Sequence, residues 1–253
     1  MSNWVRNIVH MKGIARLPLF TKEEDEENCY TNFDFEKIIP LPDKLRRFLS
    51  GRVDECIVYY LTERCTLPIR KLPSDKAELL EKLVTNPVAN LSCPEEVFHQ
   101  VMARAFDSFG KEREAWYQNG KTYISNIKLY GVPDRKEWCE KHWGSWRGTI
   151  NTAIIDADTI SFDTVQTNPA PILLKLAEQH PDIEIEHWWA GDDKGNNTGY
   201  RKLCAGKILE EYDLDKTVLA LYAKCWGKGD KCFYRDDYGV CRRRKCEECH
   251  QCD

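Results

Sequence analysis

Hydrophobic and polar residues alternate along several short stretches of the chain, as they do in strands that bury one face. Between residues 159 and 165, for example, Ile160 and Phe162 lie on one side, and Ser161 and Asp163 lie on the other. On this pattern and on β-branched content, the predicted strands are residues 4–11, 151–155, 159–165, 183–189 and 200–209.

Two helices are predicted between these strands. The first, at residues 134–143, begins with a capping box in which Glu137 follows Asp134 by three positions, and Gly144 is placed to end it in a left-handed conformation. The second lies within residues 168–181. The resulting order is strand, helix, strand, strand, helix, strand, with one further strand. That order predicts an α+β protein of the ferredoxin-like type, an antiparallel sheet with helices on one face.

The segment after the first strand has hydrophobic residues at helical spacing and forms a block of its own. Residues 92–95 form a capping box with a proline at the helix start, and Ser74 opens another helix. The predicted domains are a ferredoxin-like core (residues 1–42 and 131–209), a helical insertion after the first strand (residues 43–130) and a small Cys-rich appendage (residues 210–253).

Length and charge limit the classes of protein to which the chain can belong. Its 253 residues, 42% of them hydrophobic, suffice for one large domain with an insertion. A formal charge of -4 argues against a general nucleic-acid binder, which usually has a strongly basic face. The N-terminus lacks the apolar region of a signal peptide, and no stretch is long enough to cross a bilayer. We therefore expect a cytoplasmic protein without membrane contact.

Twelve cysteines are present, and without an export signal they should be reduced thiols. Six lie near the end of the chain, in a segment with too few bulky residues for a core of its own. Three of these follow a C-x-x-C-x-x-C spacing, which lets neighbouring thiolates bind one ion. We predict a zinc site with four ligands; an iron–sulfur cluster is the alternative cofactor, and a flexible tail of reduced thiols is the third interpretation. The candidate metal ligands are Cys225, Cys232, Cys241, Cys246, Cys249 and Cys252.

Charged and aromatic residues supply the candidate partner contacts. A basic run lies inside the Cys-rich tail, where it could contact phosphate, offset thiolate charge or bind an acidic protein surface. Trp188 and Trp189 are adjacent in a predicted strand, so they point to opposite faces, and one of them is a contact candidate if it is exposed. The acidic run at residues 23–27 is a solvated loop that could also mimic phosphate. The candidate partner-binding residues are Arg242, Arg243, Arg244, Lys245 and Trp188.

Catalytic constellations are weak. The histidines show no paired metal spacing and no neighbouring nucleophile. Asp156 and Asp158 are ordinary turn residues, although they and Asp163 could converge near the hairpin. The sequence leaves enzyme activity open and favours its absence.

Several motifs, taken together and in order, resemble a known family. They are Ser2-Asn3-Trp4-Val5, the FDFEKIIPLP segment at residues 33–42, Trp138-Cys139 with Trp143-Gly144 and Trp146, and residues 160–164. These resemble the YubB ferredoxin-like family, whose members are encoded largely by phages and plasmids. The resemblance covers roughly residues 1 to 207. It implies an accessory protein of a mobile element and offers no catalytic residues to carry over, and the Cys-rich tail departs from the family's pattern.

We therefore expect a non-enzymatic protein of a mobile genetic element that docks on a host or phage macromolecule, foremost a protein, and inhibits a host defence such as CRISPR–Cas. Two alternatives stay open. One is a zinc-dependent nucleic-acid-binding regulator, in which Arg242 to Lys245 contact phosphate. The other is an enzyme whose site lies beneath the helical insertion, near His142 and the hairpin aspartates.

Overall fold

The computed structural model of the chain describes residues 4–24, 29–47, 49, 52–85, 94–107, 110–192, 197–212, 218–227, 233–235 and 241–243. The strands are β1 (Trp4–Met11), β2 (Phe20–Glu24), β3 (Cys29–Phe33), β4 (Ile150–Ile154), β5 (Thr159–Val165), β6 (Ile185–Gly191), β7 (Thr198–Cys204), β8 (Lys207–Tyr212), β9 (Phe233–Arg235) and β10 (Cys241–Arg243). The α-helices are α1 (Val53–Leu61), α2 (Ser74–Thr85), α3 (Pro94–Asp107), α4 (Gly110–Tyr130), α5 (Arg135–Trp143), α6 (Ala170–Gln179) and α7 (Val218–Trp226).

The chain folds into two compact units. The first unit is Met1–Pro40 with Cys139–Asp253, and the second is Leu41–Trp138. Within the described ranges, no helix is both long enough and apolar enough to cross a bilayer.

The first unit contains a six-stranded sheet in the order β4-β5-β1-β6-β7-β8, with antiparallel neighbours throughout. β1 therefore lies between β5 and β6. The predicted ferredoxin-like fold is confirmed: β1, α5, β4, β5, α6 and β6 follow one another in the expected order. β7 and β8 extend the sheet beyond β6.

The stretch at residues 200–209, predicted as one strand, is in fact parts of two. Ala205 and Gly206 both have positive φ values, 49° and 71°, and turn the chain between β7 and β8. Such a two-residue turn suits a tight hairpin, because both central residues adopt left-handed conformations. Ala205 is an unusual residue for that conformation, and its presence hid the turn from the pattern.

The two faces of the sheet are covered differently. One face, here called the helix face, carries Val5 and Phe162, and an aromatic contact chain runs from Phe162 through Phe35 to Trp143 at the end of α5. The opposite face, here called the α7 face, carries Ile8 and Ala190, which pack with Tyr222 and Cys225 of α7. α7 thus adds a helix on the side opposite α5.

The second unit has a core of its own among α1, α3 and α4. Tyr59 of α1 meets Trp116 of α4 edge to face, with ring centroids 6.0 Å apart. Both rings are buried, together with Tyr123 of α4. Such aromatic pairs add about 1 kcal/mol beyond the burial of their area.

Candidate docking surface

β8 is the last strand of the six-stranded sheet, and its side chains are exposed along most of its length. Ile208 and Leu209 are 44% and 56% exposed, although they are adjacent in the chain. The pairing with β7 shifts register here: Lys202 pairs with Glu210, but Leu203 pairs with Ile208. Leu209 is therefore the extra residue of a β-bulge, which breaks the alternation and leaves two large aliphatic side chains side by side.

We call Ile208, Leu209, Glu210, Glu211 and Tyr212 together the β8 surface. Two ion pairs lie beside it. The Arg201 guanidinium donates to Glu211 at 2.9 Å, and the Lys202 ammonium donates to Glu184 at 2.7 Å. The hydrogen bond and nearby charge of Glu184 raise the pKa of Lys202, although burial opposes the shift. Arg201 and Lys202 are thus already matched by carboxylates.

Tyrosine hydroxyls donate hydrogen bonds to two further carboxylates at this end of the sheet. Tyr200 donates to Glu186 at 2.7 Å, and Tyr212 donates to Glu210. The rings of Tyr200 and Tyr212 stack with centroids 5.1 Å apart. Burial, followed by the bond to Glu186, raises the pKa of Tyr200. The phenols therefore stay protonated and hold the carboxylates in place.

Trp188, the predicted contact residue, is half-buried on the α7 face beside this surface. The Lys224 ammonium of α7 lies 3.1 Å from its ring centroid, and Tyr200 packs against it at 5.4 Å. Burial lowers the pKa of Lys224, while Glu186 opposes that shift. Trp189 points to the other face and is buried, so the predicted split of this pair between two faces is confirmed.

Trp226 at the end of α7 makes two contacts with the sheet. The Trp226 indole N–H donates to the Ala190 carbonyl at 3.1 Å, and the Arg6 guanidinium lies 4.4 Å from the Trp226 ring. Cys225, one of the predicted metal ligands, belongs to the same helix, and its side chain is buried. Burial raises the pKa of its thiol to about 12, so the thiol is protonated at neutral pH in this setting.

The remaining residues of the predicted metal and basic sites are placed only in part. Cys241, Arg242 and Arg243 form β10, which pairs antiparallel with β9. The other candidates lie outside the described residues: Cys232, Cys246, Cys249, Cys252, Arg244 and Lys245. Residues 25–27 of the acidic run also lie outside them. Among the side chains that the structure describes, no three His, Cys, Asp or Glu residues are grouped to hold a metal ion.

The hairpin aspartates have separate structural partners. Asp158 accepts from the Gly13 backbone N–H at 2.6 Å, and Asp156 accepts from the Asp158 N–H at 2.8 Å, as expected for turn residues. Asp163 instead accepts two bonds from Arg6, at 2.8 and 2.9 Å, and one from Asn151. The hydrogen bond with Asp163 raises the pKa of Arg6 against the opposing effect of burial.

The buried arginine Arg201 was not predicted from the sequence as a functional residue. Arg201 of β7 is only 4% exposed, and its guanidinium lies 4.3 Å from the Trp189 ring on the helix face. Burial lowers the pKa of Arg201, and Glu211 partly opposes this. Arginine in a strand carries no motif, so only the sheet register shows that this charge is internal.

Comparisons with known proteins give a structural match to the chain and a family match to part of it. A crystal structure of a protein Api92 from Yersinia pseudotuberculosis aligns with 85% of this chain and 98% of that chain, at 13% identity and a TM-score of 0.36. No curated protein matches. Residues 138–223, from the middle of α5 into α7, match the family model described as the ferredoxin-like domain in Api92-like protein.

Proposed function

We propose that this chain is a non-enzymatic accessory protein of a mobile genetic element, and that it acts by docking on another protein through the β8 surface. One observation carries the proposal: Ile208 and Leu209 stand exposed together at the edge of the sheet, beside the ion pairs that Arg201 makes with Glu211 and Lys202 makes with Glu184. Adjacent exposed aliphatic residues rimmed by polar groups are typical of protein–protein contact sites.

The charges of this surface favour a protein over a nucleic acid. Phosphate binding needs cations that are free to replace counterions. Arg201 and Lys202 are instead paired with Glu211 and Glu184. A nucleic acid would have to displace these carboxylates, whereas a protein can complement both signs.

The bulge defines how the partner is bound. An unbroken edge strand invites a further strand, but a bulge interrupts the outer row of backbone groups. The register shift at Leu209 lies in the middle of β8. We therefore expect the partner to take up the two side chains in a pocket rather than to add a strand along β8.

The other edge of the sheet provides a matched control. Ile154 and Ile155 at the end of β4 are 49% and 56% exposed, so replacing them changes a similar exposed area. We expect affinity purification with the wild-type chain to recover one stoichiometric protein, and the Ile208→Asp/Leu209→Asp variant to lose it. The Ile154→Asp/Ile155→Asp variant should retain it. Equal recovery by all three chains, or by none, would contradict docking through β8.

The target class comes from the resemblance to the YubB ferredoxin-like family of phage and plasmid proteins. We propose that the bound protein belongs to a host defence system such as CRISPR–Cas. In cells with active CRISPR–Cas immunity against a phage, expression of the wild-type chain should raise the plating efficiency of that phage. The β8 variant should not raise it, and the β4 variant should.

A second candidate function is a zinc-dependent nucleic-acid-binding regulator. It is favoured by the pairing of β9 with β10, which places Arg242 opposite Tyr234 and Arg243 opposite Phe233. Basic and aromatic residue types are those that suit phosphate contact and base stacking. Binding to single-stranded DNA should then weaken about tenfold or more between low and moderate salt, because several counterions are released. Salt-independent binding would exclude it.

A further inference from the structure

A cavity of about 500 Å³ opens on the helix face of the sheet. Its walls come from α5, the turn after α5, the loop between β5 and α6, and β7. Cavities of this volume are large enough for a ligand the size of a nucleotide. The three polar or aromatic groups that define its chemistry are Arg201, Asn168 and Trp146.

Arg201 contributes a donor that no described residue uses. Its Nε is buried and makes no hydrogen bond within the described ranges, although another guanidinium nitrogen binds Glu211. A buried charged donor without an acceptor is unfavourable, and native proteins rarely keep one. Arg201 is also one of the residues that line the cavity.

Asn168 contributes an acceptor to the same cavity. Its side-chain oxygen is buried and receives no hydrogen bond from any residue that the structure describes. Its loop is held in place, because Thr164 donates to the Thr167 carbonyl at 2.7 Å and Thr167 donates to the Gly144 carbonyl. Gly144 itself has φ +79°, and a Cβ there would lie 2.7 Å from the Asn168 carbonyl oxygen. The loop is therefore fixed before any ligand arrives.

Trp146 contributes an aromatic surface at the mouth of the cavity. It is 36% exposed, and the Arg147 guanidinium lies 5.6 Å from its ring. Exposed indole rings beside a cation are good stacking partners for flat heterocycles. Glu140 also lines the cavity. The start of α6 adds few donors, because Pro169 and Pro171 have no N–H.

We propose that this cavity binds a nucleoside monophosphate. Its phosphate accepts from Arg201 Nε, its base stacks on Trp146, and an N–H or O–H of the base or ribose donates to Asn168. A single ligand of this class supplies an acceptor, a donor and a flat ring. The cavity and the β8 surface share the Arg201–Glu211 ion pair, but the cavity proposal is argued from its own lining residues and does not rest on the proposed docking function.

The test uses adenosine 5′-monophosphate as the probe, followed by ¹H–¹⁵N spectra of the full chain. We expect the Arg201 Nε–H signal to shift on titration, with half-saturation below about 1 mM. The tryptophan fluorescence of the chain should change over the same range. Inorganic phosphate and adenosine, each added alone, should bind at least about tenfold more weakly, because each lacks part of the contact set.

Variants separate the two hydrogen-bonding groups. Asn168→Ala should weaken binding of adenosine 5′-monophosphate about fivefold to tenfold and leave that of phosphate unchanged, because Asn168 contacts the nucleoside part. Lys175→Ala, on the exposed side of α6, should have no effect on either probe. Arg201→Lys should weaken the binding of both probes. Its spectrum also lacks the Arg201 Nε–H signal, which assigns that signal in the wild-type spectrum.

Two outcomes would overturn the proposal. One is an Arg201 Nε–H signal that does not move at about 10 mM adenosine 5′-monophosphate, well above the expected range. The other is phosphate binding as tightly as the nucleotide, which would make the cavity an anion site without nucleoside recognition. If Arg201→Lys does not fold, the Asn168→Ala series with the wild-type spectra still decides between these results.

Discussion

A chain of buried polar side chains crosses the middle of the sheet on the helix face. Asn7 donates to the Val5 carbonyl and to the Thr164 hydroxyl, both at 2.9 Å, so its amide oxygen faces His187. His187 Nε2 lies 3.0 Å from that oxygen and therefore carries the proton. His187 Nδ1 has no hydrogen-bond partner among the described residues. The imidazole is thus held neutral, in a defined tautomer, by its neighbours.

This arrangement makes stability depend on pH in a predictable direction. Burial, and then the charge of Arg201, lower the pKa of His187 well below its ordinary value of 6.5. Below about pH 6.5 the unfolded chain binds a proton that the folded chain does not. The free energy of unfolding should therefore fall with decreasing pH, by up to about 1.4 kcal/mol per unit, until the folded-state pKa is reached.

His187→Gln should remove this contribution, because glutamine can donate to Asn7 but does not titrate. Urea unfolding measured between pH 5 and pH 8 should show a shallower dependence on pH for the variant than for the wild-type chain. Parallel curves for His187→Gln and the wild type would show that His187 does not set the slope.

At the scale of the elements, helix packing in the second unit depends on one glycine. Gly120 of α4 lies so close to α1 that an added Cβ would be 2.8 Å from Tyr60 Cβ and closer still to the Cys56 carbonyl oxygen. In an exposed helix, replacing glycine by alanine stabilises by about 1 kcal/mol. Here the steric conflict should reverse that sign.

Gly120→Ala should therefore lower the free energy of unfolding by about 2 kcal/mol or more, because α1 and α4 must move apart. Gly148→Ala provides the control, since a Cβ there would meet nothing within 4 Å. Chemical denaturation followed by circular dichroism measures both variants. A Gly120→Ala chain as stable as the wild type would mean that the helices adjust without loss.

Elements with a clear local sequence signal could be predicted, and a turn without such a signal could not. Asp134 accepts from the Glu137 N–H at 3.0 Å, and Gly144 has positive φ, so the predicted start and end of α5 are confirmed. β1 and β5 were also predicted at their observed positions. The turn between β7 and β8 was missed, because Ala205 rarely adopts a left-handed conformation.

The candidate sites were harder to predict because they join residues from distant positions. Arg201 and Asn168 share a cavity only because the sheet order brings β7 and the β5–α6 loop to the same face. Likewise, the exposure of Leu209 follows from a bulge that no local pattern indicates. Trp188 was found from its alternation, yet its contact with Lys224 depends on where α7 packs.

At the scale of the whole molecule, the Cys-rich tail gives a prediction that does not depend on the sheet. Protein purified without added metal should contain at least one zinc ion per chain by elemental analysis, because tetrahedral thiolate sites bind zinc tightly. Cys246→Ser/Cys249→Ser should lose that zinc. Cys204→Ser should retain it, since the Cys204 thiol already donates to the Pro181 carbonyl. Iron in place of zinc would indicate a cluster, and a chain free of metal would leave the tail as reduced thiols.

The central position of β1 has a consequence for how the chain is made. Arg6 and its partner Asp163 are 157 positions apart, and β6 follows later still. At about 5 to 20 residues per second, the ribosome needs about 10 to 40 seconds to deliver both neighbours of β1. Until β5 is made, Val5 and Val9 lack both of their neighbouring strands, while the intervening helices can already fold. The yield of native protein should therefore respond to growth temperature and chaperone supply more strongly than the stability of the finished sheet would suggest.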